Sequence, residues 1–485
     1  MNTYSERLSS PANLLFLISL IIFSFLLAAC GGGNSGGASS TDTQPVAPKQ
    51  AFAGLYFSPG IQEIAVPVYT NVIISSDTAI NYTTVNNNAF YLVGPGGIKV
   101  NASLSETDGV VTLDPVTDLQ RATAYTATVT TDVKDINGKS LAGTTSWTFT
   151  TSANGNTPPE FDLWKANMLK YGEQVGQYLN TETNAAFLRD ATYYDGQYVF
   201  YQIANFTQQT QPWISYAERA RDIYYGTLLE PNKYAIPGYW RFPHGGYQEW
   251  LLSGKSAAVK AKLIKLRDIP AFSKPESSGS ADNWWQQAFS REIAYALETN
   301  MFLEKTGESR IQDRVTILTN MALKHIDIWV TGNWISTNPD DQYVKPFMTS
   351  LTASALIEYY ERSVELGTPD TRVPSAVKSI ADWLWTNMWV ANVNGTGYGA
   401  FKYMSKDVPG HGGTNPAPDL NLLIAPYYAW LYQYTCDVTY KERADLIFAG
   451  GVKLADLKTG KRFNQNYRKS FKYLQWREAG DNNCH

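Results

Sequence analysis

Everything beyond residue 160 is helical in period, and that stretch of about 320 residues limits the chain more than any other feature. Twelve segments are predicted, at 161–180, 186–206, 212–229, 244–254, 256–268, 281–306, 310–331, 344–366, 372–390, 418–435, 438–457 and 466–479. Pro243, Pro346 and Pro418 fall in first turns, Ser280 to Asp282 reads as a cap, and Gly307 and Gly367 follow last turns. No fixed-period signature repeats, which argues against a tetratricopeptide or ankyrin array.

Residues 51–151 have a different character. Short runs rich in Val, Thr, Tyr and Ile recur at Glu63–Val68, Asn71–Ser75, Phe90–Val93, Gly109–Leu113, Ala124–Thr131 and Ser146–Thr151, separated by turn-formers such as Gly94-Pro95-Gly96-Gly97 and Asn137-Gly138. About seven short strands in 100 residues describe a β-sandwich. Ser58-Pro59, Leu119, Ala124 to Val129, Val133 to Gly138 and the closing Trp147 to Thr151 resemble, in that order, the bacterial Ig-like domain of S-layer and other exported proteins. That resemblance implies a spacer or adhesive module. Residues 152–160 read as a linker stiffened by Pro158-Pro159.

Twelve helices with unequal loops and many aromatics suggest six hairpins closed into a ring over 161–485, an (α/α)6 toroid. At fold level this resembles the toroids of glycoside hydrolases and polysaccharide lyases. No motif pins down one family, and fold does not dictate function.

The N-terminus reads as an address. Arg7 precedes an apolar run from Leu14 to Leu27, of signal length and too short for a comfortable span. Leu27-Ala28-Ala29-Cys30 resembles the lipobox of bacterial lipoproteins, which implies a signal peptide over 1–29, a lipidated Cys30, and a tether over 30–50 that includes the Gly/Ser-rich stretch Gly31 to Ser40. Gly31 in place of aspartate implies the outer membrane, facing periplasm or cell surface. An ordinary signal peptide is the alternative. Cys436 and Cys484 are expected either to pair or to remain free thiols.

Composition excludes some functions. Lys plus Arg number 40 against 44 Asp plus Glu, too balanced for nucleic acid as the main partner. Four His and three Cys argue against a multi-ligand zinc or iron–sulfur site, and no cofactor or metal is expected. Aromatics reach 13%, and flat rings suit sugar rings as well as cores. The chain is read as a monomer whose partners are a polysaccharide and, through Cys30, a membrane.

Three clusters at helix starts carry candidate chemistry. Tyr239 to Trp250 holds Trp240, Arg241, His244, Tyr247 and Glu249; it reads as a stacking platform with His244 or Glu249 moving protons and Arg241 on an acidic sugar, or as an aromatic-packed helix start with Glu249 solvated. Asp282, Trp284 and Trp285 open the next helix, where Asp282 is a catalytic acid or merely favours the helix dipole. Glu292 falls within that helix's apolar stripe, either paired with an arginine or protonated with a raised pKa. The third cluster runs from Asn394 to Asn421, with Tyr398, His411, Asp419 and Asn421 on a long glycine-rich connection. Asp195 is a further acid or sugar contact, Phe463 to Arg468 a polar helix start, and His325 a core or surface histidine.

No serine elbow, HExxH or Cys–His motif is present, leaving acid–base chemistry. Hydrolysis of a glycosidic bond needs two carboxylates, sought among Asp195, Glu249, Asp282, Glu292 and Asp419. β-Elimination on a uronate polymer is the alternative, through His244, His411, Tyr398, Arg241 and Asn421. Glycan binding without turnover is the third.

Overall fold

The computed structural model describes residues 55–76, 78–107, 110–152, 157–207, 209–269, 287–308 and 312–484. The expected signal peptide and tether, Cys30 included, lie outside them, as do Asp282, Trp284 and Trp285. No helix among the described residues is long and apolar enough to cross a membrane.

The N-terminal body is a sandwich of β1 (Leu55–Ser58), β2 (Glu63–Val66), β3 (Val72–Ser76), β4 (Phe90–Val93), β5 (Ala102–Thr107), β6 (Val110–Pro115), β7 (Ala124–Val129) and β8 (Thr145–Thr151). One sheet runs β1-β3-β6-β5 and the other β2-β8-β7-β4. Alternate residues Val72 and Ile74, Phe90 and Leu92, Ala127 and Val129 bury between them, as period-two patterning requires. The sequence did not signal β1 and β5. Both are edge strands, and β5 (ASLSET) carries mostly polar residues because an edge needs little apolar surface.

The helical body comprises α1 (Phe161–Thr181), α2 (Ala185–Ala191), α3 (Gly196–Thr207), α4 (Trp213–Ile223), α5 (Pro243–Leu252), α6 (Ala257–Arg267), α7 (Gln287–Lys305), α8 (Gln312–Thr331), α9 (Pro346–Glu365), α10 (Arg372–Met388), α11 (Asn421–Thr435), α12 (Val438–Leu454), α13 (Gly460–Tyr467) and α14 (Ser470–Asn483). In the inner ring α3 packs on α5, α5 on α7, α7 on α9, α9 on α11 and α11 on α14. The ring closes through α13, which touches both α14 and α3, and Gln202 Nε2 donates to Arg468 O at 2.8 Å across that seam. Helices α1, α4, α6, α8, α10 and α12 form the outer layer, so the chain is an (α/α)6 toroid behind an Ig-like sandwich.

Two expected helices are divided. The segment 186–206 breaks because Tyr194 and Asp195 both take left-handed φ, +67° and +64°. The segment 466–479 becomes α13 and α14, with a corner at Arg468-Lys469. The expected 212–229 continues from α4 as a π-helical turn over Tyr224–Leu229. Cys436 and Cys484 form a disulfide that ties the end of α11 to the end of α14. Sandwich and toroid touch directly: the Tyr69 and Phe161 rings lie 4.5 Å apart, Lys165 pairs with Asp114 at 3.3 Å, and Ser152 Oγ donates to Asn482 Oδ1 at 2.5 Å.

Candidate functional site at the toroid mouth

The inner helices begin at one mouth of the ring, and side chains tie their starts together. Asp195 Oδ1 accepts from Tyr198 N (3.2 Å) within α3, and its Oδ2 accepts from Gly245 N (3.1 Å) on α5. A Cβ at position 245 would lie 2.6 Å from Asp195 Oδ1, so only glycine admits this contact. Gln287 Oε1 accepts from Lys345 N at 3.1 Å, joining the starts of α7 and α9. Asn464 Nδ2 donates to Ala191 O (2.8 Å) and Tyr193 O (3.0 Å), holding the turn before α3.

Two cations sit among aromatic rings at this mouth. Arg291 Nη1 donates to the Tyr193 hydroxyl at 3.4 Å, and its guanidinium lies 4.7 Å from the Tyr239 ring centre. Lys345 Nζ donates to His411 O at 2.9 Å and lies 4.9 Å and 5.3 Å from the Tyr403 and Tyr343 ring centres. Burial, and then the charge of Arg291, push the Lys345 ammonium down. Neither cation forms an ion pair with a carboxylate among the described residues. Among carboxylates Arg291 feels only the neighbouring Glu292, itself pushed up toward its neutral form, and burying charge so weakly offset is costly, so this arrangement suits a site whose anion comes from a ligand.

Glu292 follows Arg291 on α7. Burial pushes its carboxyl up to about 7, against the pull of Arg291, Arg241 and a hydrogen bond from Gly238 N–H. A carboxyl of that value exchanges protons near neutral pH.

Deeper on the ring axis lies a charge cluster. Lys469 Nζ is 2.7 Å from Glu358 Oε1, 3.4 Å from Glu298 Oε1 and 3.2 Å from His244 Nε2. His244 Nε2 lies 3.1 Å from Glu358 Oε1, and Arg468 Nη2 lies 3.3 Å from Glu298 Oε2 while its Nη1 donates to Tyr295 OH at 3.0 Å. Despite burial, Lys469 and His244 hold Glu358 well below the usual carboxylate range. His244, Glu298 and Glu358 offer metal-ligand atoms within 4.8 Å of one another. The set does not fit a metal, because Lys469 and Arg468 already place two positive charges against these carboxylates. Nor does it flank a glycosidic bond: the carboxylate oxygens are too close, and Lys469 fills the space that a sugar or water needs.

Of the residues singled out from sequence, the structure brings Trp240, Glu292 and His411 to the mouth. The Trp240 ring meets Tyr193 edge-on at 4.5 Å, and His411 Nδ1 lies 3.3 Å from Tyr343 OH. His244 belongs to the axial cluster instead. Glu249 lies between α3, α4 and α5, accepting from Gln197 Nε2 (3.0 Å) and paired with Arg221 (3.4 Å). Tyr247 stacks on Phe302 at 4.6 Å. Arg241 is buried and donates to Ile269 O at 3.1 Å, and Asn421 Nδ2 donates to Gly399 O and Ile447 O at 3.0 Å each. Tyr398 donates to Glu160 at 2.7 Å, and Asp419 Oδ1 accepts from Asp456 N at 2.8 Å. These last five hold loops and helices together.

Sequence reasoning missed Arg291, Lys345, Tyr403, Glu298, Glu358 and Lys469. The argument that found Glu292 in an apolar stripe applies to Glu298 six residues later on the same helix. Nothing local marks the others.

A cavity of about 880 Å³ lies at the opposite mouth against the sandwich. Its two lysines each have a carboxylate nearby, Asp114 for Lys165 and Glu361 for Lys472, so charge and volume point to different ends of the ring.

Residues 53–151 match the bacterial Ig-like domain family. The sandwich belongs to that family. No curated protein matches the chain. Among solved structures, one titled a polysaccharide lyase is 12% identical with TM-score 0.40; the match covers 87% of this chain, which spans 65% of that one. A family 76 glycoside hydrolase from a bovine Bacteroides thetaiotaomicron strain is 7% identical with TM-score 0.41, covering 86% of this chain and 99% of that one.

Proposed function

We propose that the mouth lined by Arg291 and Lys345 binds an acidic polysaccharide and that the chain cleaves it by β-elimination. The observation that carries this reading is the pair of cations without carboxylate partners among Tyr193, Tyr239, Tyr343 and Tyr403. Rings stack on sugar faces, and an Arg and a Lys neutralise a uronate carboxylate, which acidifies the adjacent C5 proton. In this reading Tyr403, half-buried beside Lys345, takes that proton; burial pushes its hydroxyl up against the pull of Arg291, so the phenolate that does so forms at alkaline pH. The electron pair forms the C4–C5 double bond, the C4–O bond breaks, and the leaving oxygen takes a proton from water. Cys30 anchors the chain by lipid in the cell envelope.

The test is a panel of uronate and neutral polymers, followed by ultraviolet absorbance of unsaturated uronate and by new reducing ends. Both signals rising together on a uronate polymer, and vanishing in Tyr403→Phe, support elimination. Reducing ends without absorbance favour hydrolysis, a second reading that rests on Glu292 as the proton donor at about 7.

A further inference from the structure

The cavity between sandwich and toroid has no part in that reading, and its chemistry is the opposite of the cationic mouth. Its walls come from both bodies: Ser58, Thr70 and Asn71 on the sandwich side, Tyr201, Gln248 and Gln475 on the toroid side. At about 880 Å³ it falls in the size range of ligand sites, about 300–1,000 Å³.

The charges around it are offset or weakened. Lys165 is paired with Asp114 at 3.3 Å, the Lys472 charge acts on the neighbouring Glu361 carboxyl, and burial pushes the Glu478 carboxyl up toward its neutral form. What remains are amides, hydroxyls and rings. A primary amide offers donor and acceptor side by side, which matches adjacent sugar hydroxyls. Asn71 Oδ1 has no hydrogen-bond partner and is sealed from solvent, and a turn of its amide toward the cavity would let it accept from a hydroxyl there.

We propose that this cleft is a second saccharide site, for a neutral, hydroxyl-rich oligosaccharide, and that it exists only because the sandwich is seated on the toroid. The Ig-like domain is then one wall of a binding site as well as a spacer. This inference is independent of the reaction at the other mouth: an inactive protein could still bind here, and an active one could fail to.

The experiment is titration calorimetry on the full-length chain with cellohexaose, mannohexaose, xylohexaose and maltohexaose, and with a galacturonate hexamer as the acidic control. At least one neutral hexamer is expected to bind with a dissociation constant of about 10⁻⁴ M, and Gln475→Ala and Asn71→Ala each to weaken it about tenfold. Gln475 is exposed, so its variant tests the site without burdening the fold. Both variants should keep wild-type turnover of any polymer cleaved at the other mouth. Absence of binding by every neutral hexamer, binding of the galacturonate alone, or affinity unmoved in both variants each overturns the proposal.

Discussion

Lys469 Nζ and Glu358 Oε1, 111 residues apart in the chain, meet at 2.7 Å on the toroid axis. Their pairing joins the corner before α14 to the middle of α9, across the intervening inner helix α11. Removing one partner strands a buried charge, so Lys469→Met is expected to cost about 3–5 kcal/mol in urea unfolding. The double variant Lys469→Met/Glu358→Gln should lose less than Lys469→Met alone. Because the Glu358 carboxyl is held below its ordinary 4.5, its contribution is present above that pH and lost as pH falls further.

Glu292 should show the opposite pH dependence. Its folded-state value of about 7 lies above the ordinary 4.5, so the protonated form favours folding. That contribution is full below about pH 4.5 and lost as pH rises through 7, a swing of about 3 kcal/mol. Denaturation midpoints of Glu292→Gln across this window should be flatter than those of wild type.

Arg291→Met and Lys345→Met are each expected to weaken binding of a polyuronate about 10–100-fold, the loss of one charge-assisted contact of about 1.5–3 kcal/mol. Stability should fall by less than about 1 kcal/mol for Lys345→Met, and for Arg291→Met at acid pH, where Glu292 is protonated and needs no cation beside it. Calorimetry and thermal melts of the same samples separate the two effects, and a large stability loss without an affinity change would remove both residues from the site.

The Cys436–Cys484 bond closes a separation of 48 residues. Chain-entropy arguments put its stabilisation at about 4 kcal/mol at most. Cys436→Ser/Cys484→Ser should unfold at lower urea, by a margin absent when wild type is measured under reducing conditions.

How much was legible follows from where each signal resides. Phe90 and Leu92, or Val72 and Ile74, announce strands because alternation is local and each central strand buries one face. Leu55–Ser58 and Ala102–Thr107 escaped notice because edge strands bury little. Glu292 could be marked as a buried acid since a helix of period 3.6 places it among apolar neighbours. Glu249, in contrast, has a sequence context like a site's, yet Gln197 and Arg221 from other helices claim its carboxylate.

The sequence by itself determined two bodies, their classes and most element positions, since hydrophobic periodicity, turn residues and helix boundaries act over a few residues. Only the tertiary structure decided which charges meet. Arg291 and Lys345 sit on neighbouring inner helices, and Lys469, Glu358, Glu298 and His244 come from four separate segments. Ring closure makes them neighbours, and desolvation there sets their protonation, a property of the assembled interior that no local window of sequence contains.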